Sequence, residues 1–230
     1  MDHSTNPPAG GGGGPVAEPT TAQPHMDQLP PHQHEEDSFP ILHEGTPPAI
    51  DLASWTLKVW GLVGERTFHW DDMLALPQVT VETAFHCVTG WSKLDNVWEG
   101  VRTKDLLALL DVKPEARHVM TYGHLSEDPL GYAANIPLEV LFDEEVLLAH
   151  SHNGRPLTPE HGFPLRLVVP QRYAWKSTKW LRGLEFLAED RSGYWEARGY
   201  HHNADPAAEE RYETPEPPKA TPHLHGKDDT

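Results

Sequence analysis

His161-Gly162-Phe163-Pro164-Leu165-Arg166-Leu167-Val168-Val169-Pro170 leads, a few residues on, into Lys176-Ser177-Thr178-Lys179-Trp180. Leu165–Val169 reads as a short buried strand and Trp180–Leu187 as another, both apolar and rich in branched side chains. Arg166, Arg172, Lys176, Lys179 and Arg182 fall in this region, and no Asp or Glu occurs between His161 and Leu184. The whole chain carries a formal charge of −17, so an uninterrupted basic segment needs a cause. A phosphate ligand is one. Arginine offers a planar two-pronged donor, lysine a point charge, and a small residue such as Ser177 lets backbone N–H groups approach. A solvated basic face, ion-paired with the acidic surface, is the competing reading. Spacing alone balances the two; the position between two apolar strands favours a site.

The second informative stretch is Phe85-His86-Cys87-Val88-Thr89-Gly90-Trp91-Ser92. Gln78–Phe85 alternates polar and apolar residues, with Val79, Val81, Thr83 and Phe85 on one face, the pattern of a strand. The only cysteine of the chain follows directly, at a strand end, where a fold presents side chains to a pocket. A thiolate there is a soft, charged donor suited to a transition metal. A lone cysteine in an arbitrary protein is more often a buried, inert hydrophobe, so residue type by itself leaves both readings open.

Working outward, Trp55–Leu62 and His118–Tyr122 read as strands. Asp71–Leu76 reads as a short helix with an aspartate cap before it and Pro77 after it, Thr103–Leu110 as a helix capped by Thr103, and Leu138–Phe142 as a short helix opened by Pro137. Val146–His152 and Arg155–Leu157 flank Asn153-Gly154, the strongest two-residue hairpin signal. Strands and short helices are interspersed without regular βαβ alternation, so the expected class is α+β, mainly β, in a single domain.

Composition sets the boundaries. Residues 1–38 contain the run Gly10–Gly14, many prolines and almost no large apolar side chains, and residues 213–230 are similar. Neither segment buries enough apolar surface to offset its ordering entropy, so both are expected to be disordered tails around a domain at 39–212. The net charge argues against nucleic acid as a partner. No window of ~18 apolar residues exists for a membrane span, and no basic start precedes an apolar run as in a secretory signal, so the expected location is cytoplasmic. One cysteine excludes an intramolecular disulfide and Cys-rich zinc or iron–sulfur sites.

Taken together, the motifs resemble those of the sulfite oxidase-like molybdopterin-dependent oxidoreductases. In that family's order they read Phe85-His86-Cys87, Gly131-Tyr132-Ala133-Ala134-Asn135, the His161–Pro170 and Lys176–Trp180 stretches, and Gly193-Tyr194-Trp195-Glu196-Ala197-Arg198-Gly199-Tyr200. The resemblance covers about residues 39–212 and implies a sulfite oxidase-type molybdopterin-binding fold holding a molybdenum–molybdopterin cofactor. It implies Cys87 as the metal ligand, and His161, Arg166, Ser177, Thr178 and Lys179 as contacts to the pterin and its phosphate. Tyr200 matches the tyrosine that lies beside the metal. The implied reaction is oxygen-atom transfer to or from a small, anionic or sulfur-containing substrate. The chain also departs from the family. It has no haem-binding domain, which implies a separate electron-transfer partner, and no immunoglobulin-like dimerisation domain. The substrate-binding arginines of true sulfite oxidases have no match near Phe39–Pro48, and Asp205-Pro206-Ala207 stands where many relatives have Asp-Pro-Trp.

Two rival functions stand beside an enzyme: a non-catalytic, cofactor- or partner-binding member of the same fold, and a histidine-based zinc or nickel module. Of the 16 histidines, His25, His32, His34, His223 and His225 fall in the expected tails. His150 and His152, two apart on a strand, are a candidate metal pair, although ordinary polar residues on a hairpin flank are the commoner reading. His86 is expected to face away from Cys87. Trp91, Trp98, Trp175, Trp180 and Trp195 are expected in the core or in a pocket wall.

Overall fold

The computed structural model describes residues 29–43, 45–124 and 132–215. In chain order the elements are β1 (His34–Glu35), β2 (Thr56–Gly61), β3 (Arg66–His69), α1 (Trp70–Ala75), β4 (Val79–His86), β5 (Trp91–Arg102), α2 (Thr103–Leu107), β6 (His118–Gly123), β7 (Ala133–Pro137), β8 (Leu147–His152), β9 (Arg155–Pro156), β10 (Arg166–Val168) and β11 (Leu181–Leu187). Short 3-10 turns at Leu138–Phe142, Pro159–His161, Ala174–Lys176 and Glu196–Arg198 complete the chain. The class is α+β, mainly β, as the interspersed pattern implied.

The strands form two sheets. One has the order β1-β5-β8-β10, with β4 on β5 and β9 on β8; the other has the order β3-β2-β11-β6-β7. Leu57, Val59, Val119, Ile136, Leu184 and Phe186 of the second sheet pack against Val101, Leu148 and Leu167 of the first. This is the main core. Residues adjacent to those of the first sheet point the other way, as strand alternation requires. Trp98, Leu147, Ala149 and Val168 build a second apolar cluster with Phe85, Cys87 and Trp91. The first sheet is therefore covered on both faces, and Cys87 lies on the face away from the main core.

The hairpin turn is as expected, with Asn153 and Gly154 both at positive φ (50° and 72°), the backbone of a type I′ turn. Three local expectations are corrected. Helix α1 begins at Trp70 after His69 as the cap, and the helping carboxylate is inside the first turn: Asp72 accepts the His69 N–H at 2.8 Å. Thr103 is the first helical residue of α2 and not its cap. Its hydroxyl donates instead to the buried carbonyls of Leu141 and Val146, and the helix stops at Leu107. Residues 29–38 are not a disordered tail. Strand β1 pairs in parallel with Trp91 and Ser92 of β5, and His32 contacts Glu209. The pairing is made through the backbone, which composition does not report. Residues 1–28 and 216–230, with His25, His223 and His225, lie outside the described residues, as does Gly131. Among the described residues no helix is long and apolar enough to cross a membrane.

Candidate functional site

Strand β4 ends at His86, and the chain turns through Cys87-Val88-Thr89-Gly90 into β5. Gly90 takes φ +105° and donates its N–H to the Cys87 carbonyl (3.1 Å), while the Cys87 N–H donates to Trp91 (2.8 Å). Only 7% of Cys87 is exposed. The Thr89 hydroxyl donates to Sγ at 3.1 Å. Burial pushes the Cys87 thiol up from its ordinary value, while the Thr89 donors and the charges of Arg211 and Lys179 pull the other way. The turn is held from outside as well. Gln33 donates to the Cys87 carbonyl (3.1 Å) and Arg211 to the Val88 carbonyl. His86 turns away to Ser92 (2.7 Å).

The basic segment supplies a second group. Arg166 is 1% exposed and donates to the carbonyls of His161 (3.0 Å) and Ser177 (3.2 Å), with Phe85 and Trp98 rings 5.1 and 5.3 Å away. Lys179 donates to the carbonyls of Leu42 (2.8 Å) and Glu160 (2.6 Å). Among the described residues neither cation has a carboxylate within ion-pair distance. Burial consequently lowers Arg166 to about 9 and Lys179 to about 7. His161 stacks on Phe39 (centroids 4.9 Å apart) and is lowered to about 4, first by burial and then by the two cations. Gly162 sits at φ +107°, where a Cβ would lie 3.1 Å from that of Lys179 and 3.2 Å from that of Arg166, so only glycine lets these cations approach so closely.

Both groups open on one pocket that is partly continuous with solvent. Cys87, His161, Arg166, Ser177, Thr178, Lys179 and Tyr200 all line it. Ser177 accepts the Val169 N–H (3.0 Å), and the Thr178 hydroxyl bonds that of Thr121 (2.6 Å). Tyr200 lies edge-on to Trp175 (5.1 Å) and close to Trp195 (5.0 Å). Among the described residues no carboxylate lines the pocket. A soft sulfur and buried cations that have no carboxylate partner among the described residues, set among aromatic side chains, fit a ligand that carries both a transition metal and an anionic group.

The oxidoreductase molybdopterin-binding domain family matches residues 43–195. The chain belongs to that family. It is 46% identical over 187 residues to "Uncharacterized oxidoreductase YuiH" of Bacillus subtilis, covering 80% of this chain and 92% of that one. It is 30% identical over 216 residues to a sulfite oxidase of Arabidopsis thaliana, covering 80% of this chain but 55% of the plant protein. The sulfane dehydrogenase SoxCD of Paracoccus pantotrophus matches in structure with TM-score 0.56 and 26% identity, over 62% of this chain and 40% of that one. The chain thus spans nearly all of the Bacillus protein and about half or less of the other two.

The histidine pair forms no metal site. His150 bonds Ser151 and Gln78, while His152 bonds Asn96 at 3.0 Å. Among the described residues no cluster of three or more His, Cys, Asp or Glu could hold a metal. The sequence reading missed Phe39 and Thr89 in the pocket. It also missed a buried pair behind the pocket, Lys176 with Glu196 at 2.5 Å, 1% and 0% exposed in their side chains. Lys176 donates further to the Asn135 carbonyl and side chain. The signal was present in the basic run: of its two flanking lysines, one turns inward to a carboxylate and one faces the pocket.

Proposed function

We propose that the protein is a molybdenum-cofactor oxidoreductase that transfers an oxygen atom to or from a small sulfur-containing or anionic substrate. The observation that carries this is the opening of Cys87 and of two cations without a carboxylate partner among the described residues, Arg166 and Lys179, onto one pocket beside Tyr200. When bound, the cofactor supplies a metal that cycles between oxidation states two electrons apart. Cys87 would hold that metal through its sulfur. Arg166 and Lys179 would neutralise the phosphate, the latter with a proton taken up at Nζ, while His161, Ser177 and Thr178 orient the pterin. Phe39, Trp91, Trp175 and Trp195 exclude water from the path between them. The Tyr200 hydroxyl would orient a substrate oxygen. The names of two relatives, a sulfite oxidase and a sulfane dehydrogenase, support sulfur chemistry. A separate electron carrier would complete each turnover, with the cytoplasm as the setting.

The test is molybdenum and pterin analysis of protein made in a molybdate-replete host, with dye-linked turnover of sulfite and of an organic sulfoxide. One molybdenum per chain with turnover of either compound is expected. Stoichiometric molybdenum without turnover of any sulfur compound would favour the non-catalytic reading, and zinc or nickel in its place would sink both.

A further inference from the structure

We infer that Thr89 sets the electron-donating strength of the metal-bound sulfur, an inference that rests on Cys87 being the molybdenum ligand. The Thr89 hydroxyl is 3.1 Å from Sγ and points its proton at the sulfur. The hydroxyl stands on a turn with little freedom to move. Its Cys87 carbonyl is held by Gln33 and by Gly90, its Val88 carbonyl by Arg211, and its Gly90 carbonyl by the N–H of His34. The sulfur therefore meets the hydroxyl in a fixed geometry and in a buried, weakly polar setting, where a hydrogen bond to a charged acceptor is strong.

A thiolate ligand pushes charge onto its metal. A donor on the sulfur withdraws part of that charge, stabilises the electron-rich reduced metal and so raises its reduction potential. The same donor lowers the sulfur orbitals, moving sulfur-to-metal charge transfer to higher energy. Thr89 is a tuning and positioning residue in this sense, since it touches the ligand and not the substrate.

The experiment compares Thr89→Val, which keeps the shape and removes the hydroxyl, with Thr89→Ser, which keeps the hydroxyl, in the full-length molybdenum-loaded protein. The charge-transfer maximum and the molybdenum midpoint potential are measured per bound molybdenum. Thr89→Val is expected to move the band to longer wavelength and the potential to a more negative value, with molybdenum content near that of the native protein. Thr89→Ser is expected to restore both readings. Equal bands and potentials in the native and valine proteins would overturn the inference. So would loss of molybdenum from both Thr89→Val and Thr89→Ala, because a hydroxyl that only tunes the sulfur is not needed for retention. Cys87→Ser separates the premise: if that variant keeps the native band, the ligand assignment has failed and not the role of Thr89.

Discussion

Cys87 is the residue on which the chemistry turns, and its two readings differ in what a serine would do. Serine replaces a soft, readily ionised donor with a far weaker ligand. The cofactor would still be held by its phosphate and pterin contacts, so Cys87→Ser is expected to fold, keep much of its pterin and lose nearly all oxygen-atom transfer and the charge-transfer band. A purely structural cysteine would instead cost about 1–3 kcal/mol of stability through an unpaired hydroxyl, with activity per folded molecule unchanged. In the same pocket, Arg166 and Lys179 each offer a charge-assisted hydrogen bond worth about 1.5–3 kcal/mol. Lys179→Ala is therefore expected to lower pterin occupancy, and the double variant with Arg166→Ala to lower it further; full retention in the double variant would remove this segment from the cofactor site. Tyr200→Phe deletes one hydroxyl from a ring packed against Trp175 and Trp195. Turnover is expected to fall at constant molybdenum content, and unaltered kinetics would reduce Tyr200 to a wall of the pocket.

Among the elements, one of the two shortest strands has the largest consequence. β1 is two residues long, yet its segment ties down the turn that presents Cys87, and Phe39 and Leu42 beyond it cap His161 and Lys179 through their carbonyls. A chain trimmed to residues 29–215 is expected to keep its cofactor and melt cooperatively. One trimmed to 39–212 loses Gln33 and the β1 pairing and is expected to release pterin faster in a dialysis assay; equal retention would show that the segment is dispensable. The Lys176–Glu196 pair joins β7, the turn at Ala174–Lys176 and the turn at Glu196–Arg198 behind three walls of the pocket. Glu196→Ala leaves a buried ammonium with only the Asn135 oxygens and is expected to cost about 3–5 kcal/mol in urea unfolding. These elements also show what was legible beforehand. The alternation into Phe85, the Asn153-Gly154 turn and the apolar strands around Arg166 are local patterns, and the seven residues that the motifs singled out line one cavity. β1, Gln33 and Arg211 act through carbonyls that no side-chain pattern encodes, and the composition of residues 1–28 masked the order of residues 29–38. Thr103 looked like a cap because its spacing suited one; a buried carbonyl took its hydroxyl instead.

Across the whole molecule, a chain of charge −17 keeps two cations in its interior with no carboxylate among the described residues to neutralise them, and that contrast has a pH signature. Burial lowers Lys179 from its ordinary 10.5 to about 7 in the cofactor-free fold. The unfolded chain then binds more protons than the folded one between these values, so this residue's contribution to stability is full above about 10.5 and is lost as pH falls toward 7. His86, His152 and His161, each lowered from 6.5 to about 4 chiefly by burial, extend the loss: their contribution is complete above 6.5 and disappears as pH falls through 4. A phosphate at Lys179 reverses the first effect by favouring the ammonium, so cofactor binding takes up a proton and weakens as pH rises above 7. The net charge also changes over this range as other lysines, the tyrosines and the N-terminus titrate, but that change is common to native protein and a Lys179→Met variant and cancels in their difference. Urea midpoints of the two cofactor-free proteins, measured from pH 7 to 10, should show the native chain gaining on the variant as pH rises. A flat difference over that range would mean that Lys179 is not desolvated without a counter-charge, and the phosphate assignment would lose its physical basis.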